Sequence, residues 1–299
     1  MLRGLYTAAS GMISEQRRHD TITNNIANIN SPGFKQGNSL SRSFPEMLIS
    51  RIRGGQDIPA NAQIGRLNTG VFAEENIAIH TQGDLQETQN PYDFAVVSNL
   101  QVPNVQFDAT GKFIDANGNW IQQPQALFTV QNQAGERRYS LNGKFTVDST
   151  GRLANSEGHT VLGRDGQPLI LINPATNLPI RNIKVTNKGE FLDEAGQPIL
   201  NAAGQPVGLL ISRAENPNLM LREGNGLYRI NPGDEATVTA VAQGDQVEIK
   251  QGYIERSNVD AAQSMVDLMS ALRAYEANQK VIQFYDKSME KTVNDVGRV

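Results

Sequence analysis

The C-terminal stretch Ser257–Val299 reads SNVDAAQSMVDLMSALRAYEANQKVIQFYDKSMEKTVNDVGRV, with no proline and with its first glycine at Gly297. The hydroxyl of Ser257 and the carboxylate of Asp260 have the spacing of a capping box, in which both groups bond to free backbone N–H groups at a helix start. This spacing predicts a helix that begins near Val259 and continues almost to the end of the chain.

The predicted C-terminal helix carries one narrow apolar seam, because its apolar side chains recur at alternating steps of three and four residues. At about 1.5 Å per residue the helix is roughly 55 Å long, so the seam needs a partner along its whole length. That partner is the other half of an intramolecular helical hairpin or the helices of neighbouring subunits, and the two arrangements are compatible. Gln279 and Asp286 interrupt the seam, which consists of Met265, Leu268, Leu272, Tyr275, Ile282, Met289, Val293 and Val296.

A second amphipathic helix is predicted at the N terminus, where apolar residues follow the same steps and Glu15 and His19 interrupt them. Pro32 cannot continue a helical hydrogen-bond ladder, and Gly33 can adopt the left-handed conformation that lets a chain leave a helix sharply. The helix is therefore expected to end within Asn30–Gly33. Its apolar residues are Leu5, Ala8, Met12, Ile22, Ile26 and Ile29.

Side-chain amides and hydroxyls crowd the end of this first helix, from Thr21 to Ser31. Asn and Ser favour caps and turns over helix interiors, so propensity does not explain their number. Residue chemistry favours the interpretation that they cap and solvate the last turn. The alternative is that they bond to a neighbouring chain and fix its register.

Composition limits the classes of function. With 299 residues and 38% hydrophobic content, the chain has room for two domains and at least one core. A net charge of -4 without a run of Lys and Arg argues against nucleic-acid binding. The sequence lacks an apolar stretch long enough for membrane insertion and an ordinary secretory signal. The absence of cysteine removes disulfides and thiolate chemistry, and it leaves the compartment open.

The middle of the chain changes character twice. Residues 39–79 show no lasting periodicity and are interpreted as a linker. Residues 80–250 contain short β-favouring runs separated by turn signals, which predict an all-β domain of the sandwich or barrel-like kind. Four turns place an Asp first and a Gly fourth, which suits a type I turn closed by a left-handed glycine and not a calcium loop. These turns are Asp108–Gly111, Asp115–Gly118, Asp148–Gly151 and Asp193–Gly196.

Catalytic chemistry has no visible site. His19, His80 and His159 do not have metal-ligand spacing, and neither a nucleophile motif nor a complete nucleotide fingerprint is present. We therefore expect no enzyme, no metal, no cofactor and no small-molecule substrate. A glycosidase carboxylate pair cannot be recognised from sequence, so a peptidoglycan-acting enzyme is one alternative. A secreted adhesin-like scaffold, with a β-rich head on a helical stalk, is another.

Motifs at both ends of the chain resemble those of the bacterial flagellar axial proteins, the rod and hook family. The N-terminal motifs are TAASGM at residues 7–12 and NNIANINSPGFK at 24–35, and the C-terminal ones are QGYIERSNVD at 251–260 and RAYEANQKVI at 273–282. Two long motifs in the right order make the match specific. The middle also carries family-like pieces, QGDLQETQNPYDFA at 82–95 and RYSLNGKF at 138–145.

The chain departs from the family pattern at two places. Ser140 and Leu141 stand where the family usually has Thr-Arg, and the segment from Ser98 to Pro124 holds an extra hairpin with Trp120, the single tryptophan. These departures concern the subtype. The length and the segment from Asn38 to Val71 look most like distal-rod-type proteins of Gram-positive flagella.

The resemblance implies a structural subunit of the flagellar basal-body rod, exported by the flagellar type III apparatus and needed for motility. A hook-type subunit is the alternative within the family. Residues 1–38 and 251–299 would supply the two helices of a coiled-coil assembly domain, whose partners are other copies, other axial proteins and the export apparatus. Phe44 and Leu48 resemble an export recognition signal. The expected interface residues are Leu5, Met12, Ile22, Asn24, Asn25, Ile26, Asn28, Met265, Leu268, Leu272, Tyr275, Asn278, Ile282, Met289 and Val293.

Overall fold

The computed structural model confirms a mixed α and β chain, with a helix at each end and a β-rich middle. Two compact units divide it: one is Met1–Ala27, Gly37–Ile77 and Asp260–Val299, and the other is Asn28–Gln36 and Ala78–Val259. The residues that the structure describes are 2–50, 63–100, 102, 105–108, 111–115, 118, 120–172, 180, 183–193, 196–201, 204–242 and 244–297.

The first unit is built on helices α1 (Leu2–Ala27) and α2 (Ala261–Val296), which pack against each other. Asp260 is the N-cap of α2, and its carboxylate accepts from the N–H groups of Ala262 at 2.8 Å and Gln263 at 3.1 Å. The expected start near Val259 with Ser257 as the cap is wrong by two residues. A carboxylate placed directly before the first turn satisfies two free N–H groups, whereas the Ser257 hydroxyl accepts from Val259 at 3.4 Å.

Strands also belong to this unit, within the segment that the sequence analysis interprets as a linker. Strand β1 (Gly37–Ser43) pairs with β4 (Val71–Ala78), and β2 (Met47–Ser50) pairs antiparallel with β3 (Gln63–Leu67). Residues between β2 and β3 lie outside the described residues. β1 also packs on α1.

The second unit contains the other strands. They are β5 (Leu85–Glu87), β6 (Phe94–Ser98), β7 (Lys112–Ile114), β8 (Trp120–Gln122), β9 (Gln125–Gln131), β10 (Arg137–Ser140), β11 (Phe145–Val147), β12 (Leu153–Asn155), β13 (Thr160–Val161), β14 (Lys184–Val185), β15 (Phe191–Leu192), β16 (Ile211–Ala214), β17 (Met220–Gly224), β18 (Leu227–Ile230), β19 (Val238–Ala240), β20 (Val247–Gln251) and β21 (Tyr253–Glu255). Short 3₁₀ helices cover Pro217–Leu219 and Glu235–Thr237.

The main sheet of this unit runs in the order β11-β12-β13-β9-β10-β18-β17, with β16 joining β9 to β19. Two-stranded pairs surround it: β20 with β6, β21 with β5, β14 with β15, and β7 with β8. The β7–β8 pair is the expected extra hairpin, with Trp120 opposite Ile114. The core gathers aromatic rings, with Phe145 and Phe128 edge to face at 5.2 Å and Phe94 and Phe191 at 6.2 Å.

The four predicted Asp-to-Gly turns are confirmed. In each of them the glycine N–H donates to the backbone carbonyl of the Asp three residues earlier, and the glycine has a positive φ. Asp148 also accepts through its side chain from Thr150 and Arg152, and these hydrogen bonds hold the pKa of its carboxyl below the usual value. The first helix ends at Ala27, before the expected end within Asn30–Gly33, because turn residues already follow from Asn28. Gly33 has the expected left-handed conformation, with a φ of 69°.

Candidate functional site

The two helices of the first unit form an antiparallel hairpin, as two close approaches show. A Cβ atom on Gly11 would lie 2.9 Å from Nδ2 of Asn278, and one on Gly4 would overlap the Tyr285 ring. Seven residues forward in α1 thus correspond to seven residues back in α2. Glycine at these two positions lets the helix backbones approach closely where α2 carries larger side chains.

The face of α2 in this hairpin repeats every seven residues, at Ser264, Ala271, Asn278 and Tyr285. On α1 the buried residues are Ala8, Ser14, Ile22 and Asn25, and on α2 they are Ser264 and Ala271. The same face of α2 continues with half-buried Leu268, Tyr275, Asn278, Ile282, Tyr285 and Met289. On α2 the buried residues of this face are therefore small and the half-buried ones are larger.

The structure separates the expected interface residues into two groups. Ile22 and Asn25 are buried, and Leu5, Met12, Ile26, Leu268, Tyr275, Asn278, Ile282 and Met289 are half-buried. Asn24, Met265, Leu272 and Val293 are exposed, and Asn28 belongs to the second unit. A hairpin between α1 and α2 therefore uses part of the predicted seam and leaves Met265, Leu272 and Val293 exposed.

A second apolar surface remains on the helices after they have paired. Phe284 is 74% exposed, Val293 70%, Tyr6 67% and Leu272 42%. Large apolar side chains that lie together on a monomer surface mark interaction sites, and Met265, Val266, Met269 and Leu272 occupy successive turns of α2. We call this set the outer helical surface; it consists of Tyr6, Ile13, Met265, Val266, Met269, Leu272, Val281, Phe284 and Val293.

Sequence reasoning missed part of both surfaces. Gly4 and Gly11 were not expected at the helix contact, although their spacing of seven residues was a readable signal. Tyr6, Ile13 and Phe284 were missed because they stand outside the stepping of the predicted seam. Val293, near the end of α2, was predicted as an interface residue, and this stays a prediction. By the register of the hairpin, residues after about Lys287 extend beyond the start of α1.

The buried amide of Asn25 acts within the chain. Its Nδ2 donates to the carbonyl of Gly37 at 2.8 Å, and its Oδ1 accepts from the N–H of the same residue at 2.9 Å. The side chain thus pairs with the first residue of β1 as a neighbouring strand would. Asn28 likewise accepts from the Ser31 hydroxyl at 3.1 Å. The Asn28 contact agrees with capping of the last turn, whereas buried Asn25 binds β1 and fits neither interpretation of the sequence analysis.

Phe44 lies between strands β1 and β2 of the first unit, and Leu48 lies in β2. The rings of Phe44 and Phe72 have centroids 5.5 Å apart, and both rings are partly exposed. Leu48 in β2 is 60% exposed. An apolar side chain in this position is accessible to a partner, so the export-signal interpretation stays a prediction.

His80, in the second unit, is held by hydrogen bonds to two side-chain amides. His80 bonds through Nδ1 to Gln125 at 2.9 Å and through Nε2 to Asn218 at 3.2 Å. Burial, together with the nearby Lys35 charge, lowers the pKa of His80 to about 4. Within the described ranges, no cluster of three or more His, Asp or Glu side chains has the geometry to hold a metal ion. No helix among them is long and apolar enough to cross a membrane.

Family models match three separate parts of the chain. The model described as flagella basal body rod protein matches residues 5–35, which contain most of α1 and the turn after it. The flagellar basal body rod FlgEFG protein C-terminal model matches residues 250–295, which contain nearly all of α2. The flagellar hook protein FlgE/F/G D1 domain model matches residues 123–192, in the β-rich unit.

Whole-length relatives agree with these models. The chain is 36% identical to the flagellar hook-basal body complex protein FlhO of Bacillus subtilis, over 100% of both chains. It is 30% identical to the flagellar basal-body rod protein FlgG of Agrobacterium fabrum over 96% of both chains, and 28% identical to FlgG of Bacillus subtilis over 98% of this chain and 99% of the other. The chain therefore belongs to the flagellar basal-body rod protein family and is a structural subunit of the rod.

Proposed function

We propose that this chain is a distal-rod-type subunit that polymerises through its α1–α2 hairpin into the tube of the flagellar axis. The observation that carries this proposal is the outer helical surface, which stays exposed after α1 and α2 have packed together. In the assembled tube these side chains face helices of neighbouring copies in coiled-coil contacts. The β-rich unit, with its sandwich or barrel-like strand arrangement, forms the outer layer.

The magnitudes favour assembly with several neighbours at once. Full burial of a Leu, Val, Met or Phe side chain contributes about 1.5–3 kcal/mol, so the exposed part of each side chain contributes about 1 kcal/mol. The whole outer helical surface then supplies on the order of 9 kcal/mol, close to the roughly 4–15 kcal/mol that association costs. A single neighbour that covers only part of the surface supplies too little free energy to offset the cost of association. A helical array, in which each copy contacts several others, covers it completely.

Different parts of the chain have different roles in this proposal. Helices α1 and α2, together with Gly37–Ile77, form the assembly domain, and Asn28–Gln36 with Ala78–Val259 forms the β-rich body. The subunit reaches the basal body through the flagellar type III apparatus, with Phe44 and Leu48 as its recognition signal. Its partners are other copies and other axial proteins, and its work involves polymerisation and torque transmission without a catalytic step.

A hook-type subunit is the second candidate, because the family model that matches residues 123–192 is described as a flagellar hook protein FlgE/F/G D1 domain. Electron microscopy of basal bodies from a strain that lacks this chain distinguishes the two. A rod subunit predicts that the axis ends inside the rod. An axis with a complete rod and no hook would contradict the rod assignment, and an intact axis would contradict both.

A further inference from the structure

Lys35 and Glu255 form a buried ion pair in the second unit, although 220 positions separate them. The Nζ–Oε1 distance is 2.7 Å, and the two side chains are 1% and 4% exposed. Lys35 also donates to the carbonyl of Thr81 at 2.8 Å, and Glu255 accepts from the N–H of Gly83 at 2.8 Å. The pair thus joins an N-terminal segment, residues 28–36, to a C-terminal segment, residues 253–259, with residues 79–84 between them.

Backbone contacts strengthen the same three-way junction. Gly33 donates to the carbonyl of Glu255 at 2.8 Å, and Arg256 donates to that of Asp84 at 2.8 Å. Asn258 accepts from the N–H of Gln36 at 2.6 Å through Oδ1, and its Nδ2 donates to the carbonyl of Ile79 at 2.9 Å. Each of the two terminal segments therefore supplies hydrogen-bond partners that the other needs.

The charges around the pair make each of its two residues depend on the other for charge compensation. Arg222 donates to the carbonyl of Lys35 at 2.6 Å, and its guanidinium lies 4.9 Å from the centre of the Phe34 ring. His80 faces the same cavity and is neutral at pH 7 because burial lowers its pKa to about 4. Glu255 is therefore the carboxylate that compensates Lys35, next to a second cation. If either segment leaves, its partner keeps an uncompensated buried charge.

We propose that the Lys35–Glu255 pair makes the docking of the two terminal segments all-or-none: residues 28–36 and 253–259 bind to the β-rich unit together or not at all. Residues 28–36 directly follow the end of α1, and residues 253–259 directly precede the start of α2. One buried pair therefore decides whether both of these connecting segments stay bound. Removal of one partner leaves a lone charge and releases both segments. Replacement of both partners by apolar side chains keeps both segments bound, because no charge is left to compensate.

Hydrogen exchange with mass spectrometry on the full chain tests this inference. The variants are Lys35→Met, Glu255→Leu and the double variant, with the milder Glu255→Gln as a fourth. Exposed Lys144→Met and Glu248→Leu are matched controls for the same chemical changes. Exchange in β9, in the core, reports whether the β-rich unit stays folded.

We expect each single variant to accelerate exchange in residues 28–36 and 253–259 by the same factor, at least roughly tenfold, with little change in β9. The double variant should return both segments to within about threefold of the parent chain, and the controls should match the parent. Acceleration of one segment alone by Lys35→Met or Glu255→Gln would overturn the inference. So would a double variant in which exchange is as fast as in the singles. If Lys35→Met or Glu255→Leu unfolds completely, exchange in Glu255→Gln and in the double variant still shows whether the two segments are released together.

Discussion

Leu272→Asp is the substitution that most sharply separates the packing within the helical hairpin from contacts between subunits. Leu272 is 42% exposed in the chain and belongs to the outer helical surface. Full burial of leucine contributes about 1.5–3 kcal/mol, so its exposed part contributes about 1 kcal/mol in a subunit contact. An unpaired carboxylate in an apolar contact costs a further 1–3 kcal/mol or so. Each subunit contact therefore loses about 2–4 kcal/mol.

The free subunit should lose far less, because the carboxylate can reach water while no neighbour covers it. Ser270→Asp is the matched control, since it adds the same charge at an exposed polar position two residues away. Three measurements distinguish the outcomes: thermal unfolding of the purified subunits, swimming in soft agar, and a blot of the culture medium for exported subunit. We expect the Leu272→Asp subunit to be exported and folded while the strain does not swim. Normal swimming by this strain would show that Leu272 does not lie in a contact between subunits.

Three further substitutions test single contacts. Asn25→Ala removes both hydrogen bonds to Gly37 and leaves a buried N–H and carbonyl without partners, so urea unfolding should show a loss of about 2–4 kcal/mol; a loss below about 0.5 kcal/mol would contradict the contact. Gly33→Ala places a side chain at a position of positive φ, and the added Cβ would lie 2.6 Å from a backbone carbon of Leu141. Gly118→Ala also has a positive φ, but its added Cβ would point into open space. The first should therefore cost at least about 1 kcal/mol more than the second in thermal unfolding, and equal costs would count against the close approach. His80→Gln should reduce the acid sensitivity of the parent chain, because between pH 6.5 and 4 the unfolded imidazole binds a proton that the folded one does not. Stability of the parent should fall by about 2–3 kcal/mol more than that of the variant between pH 7 and 4.5, and parallel losses would exclude this role.

Local patterns in the sequence predicted the helices and the turns. The three-and-four stepping identified both helices because a helix face repeats at that period wherever one side is covered. The Asp-to-Gly turns were predictable because the Asp acceptor and the left-handed glycine act within four residues. Asp260 as the cap was readable too, but its carboxylate was assigned to the wrong position of the capping motif.

The sequence could not assign the faces of the helices. Both Leu268 and Leu272 follow the apolar stepping, yet Leu268 borders the contact with α1 and Leu272 is exposed. Periodicity identifies an apolar stripe and not the partner that covers it. Strand β1 gave no signal because its burial does not alternate between its two faces. The Lys35–Glu255 pair gave none because the two residues meet through the fold and not through the local chain.

The most direct test of assembly through the outer helical surface uses the absence of cysteine from the chain. Single Leu272→Cys and Phe284→Cys substitutions each introduce one thiol on this surface, and Ser149→Cys places one at an exposed turn of the β-rich unit. Maleimide labelling is then compared between the free subunit and isolated basal bodies that contain the same variant. We predict that all three thiols react in the free subunit and that Cys at positions 272 and 284 is protected after assembly. Equal labelling at 272 and 284 in free and assembled subunits would contradict the account.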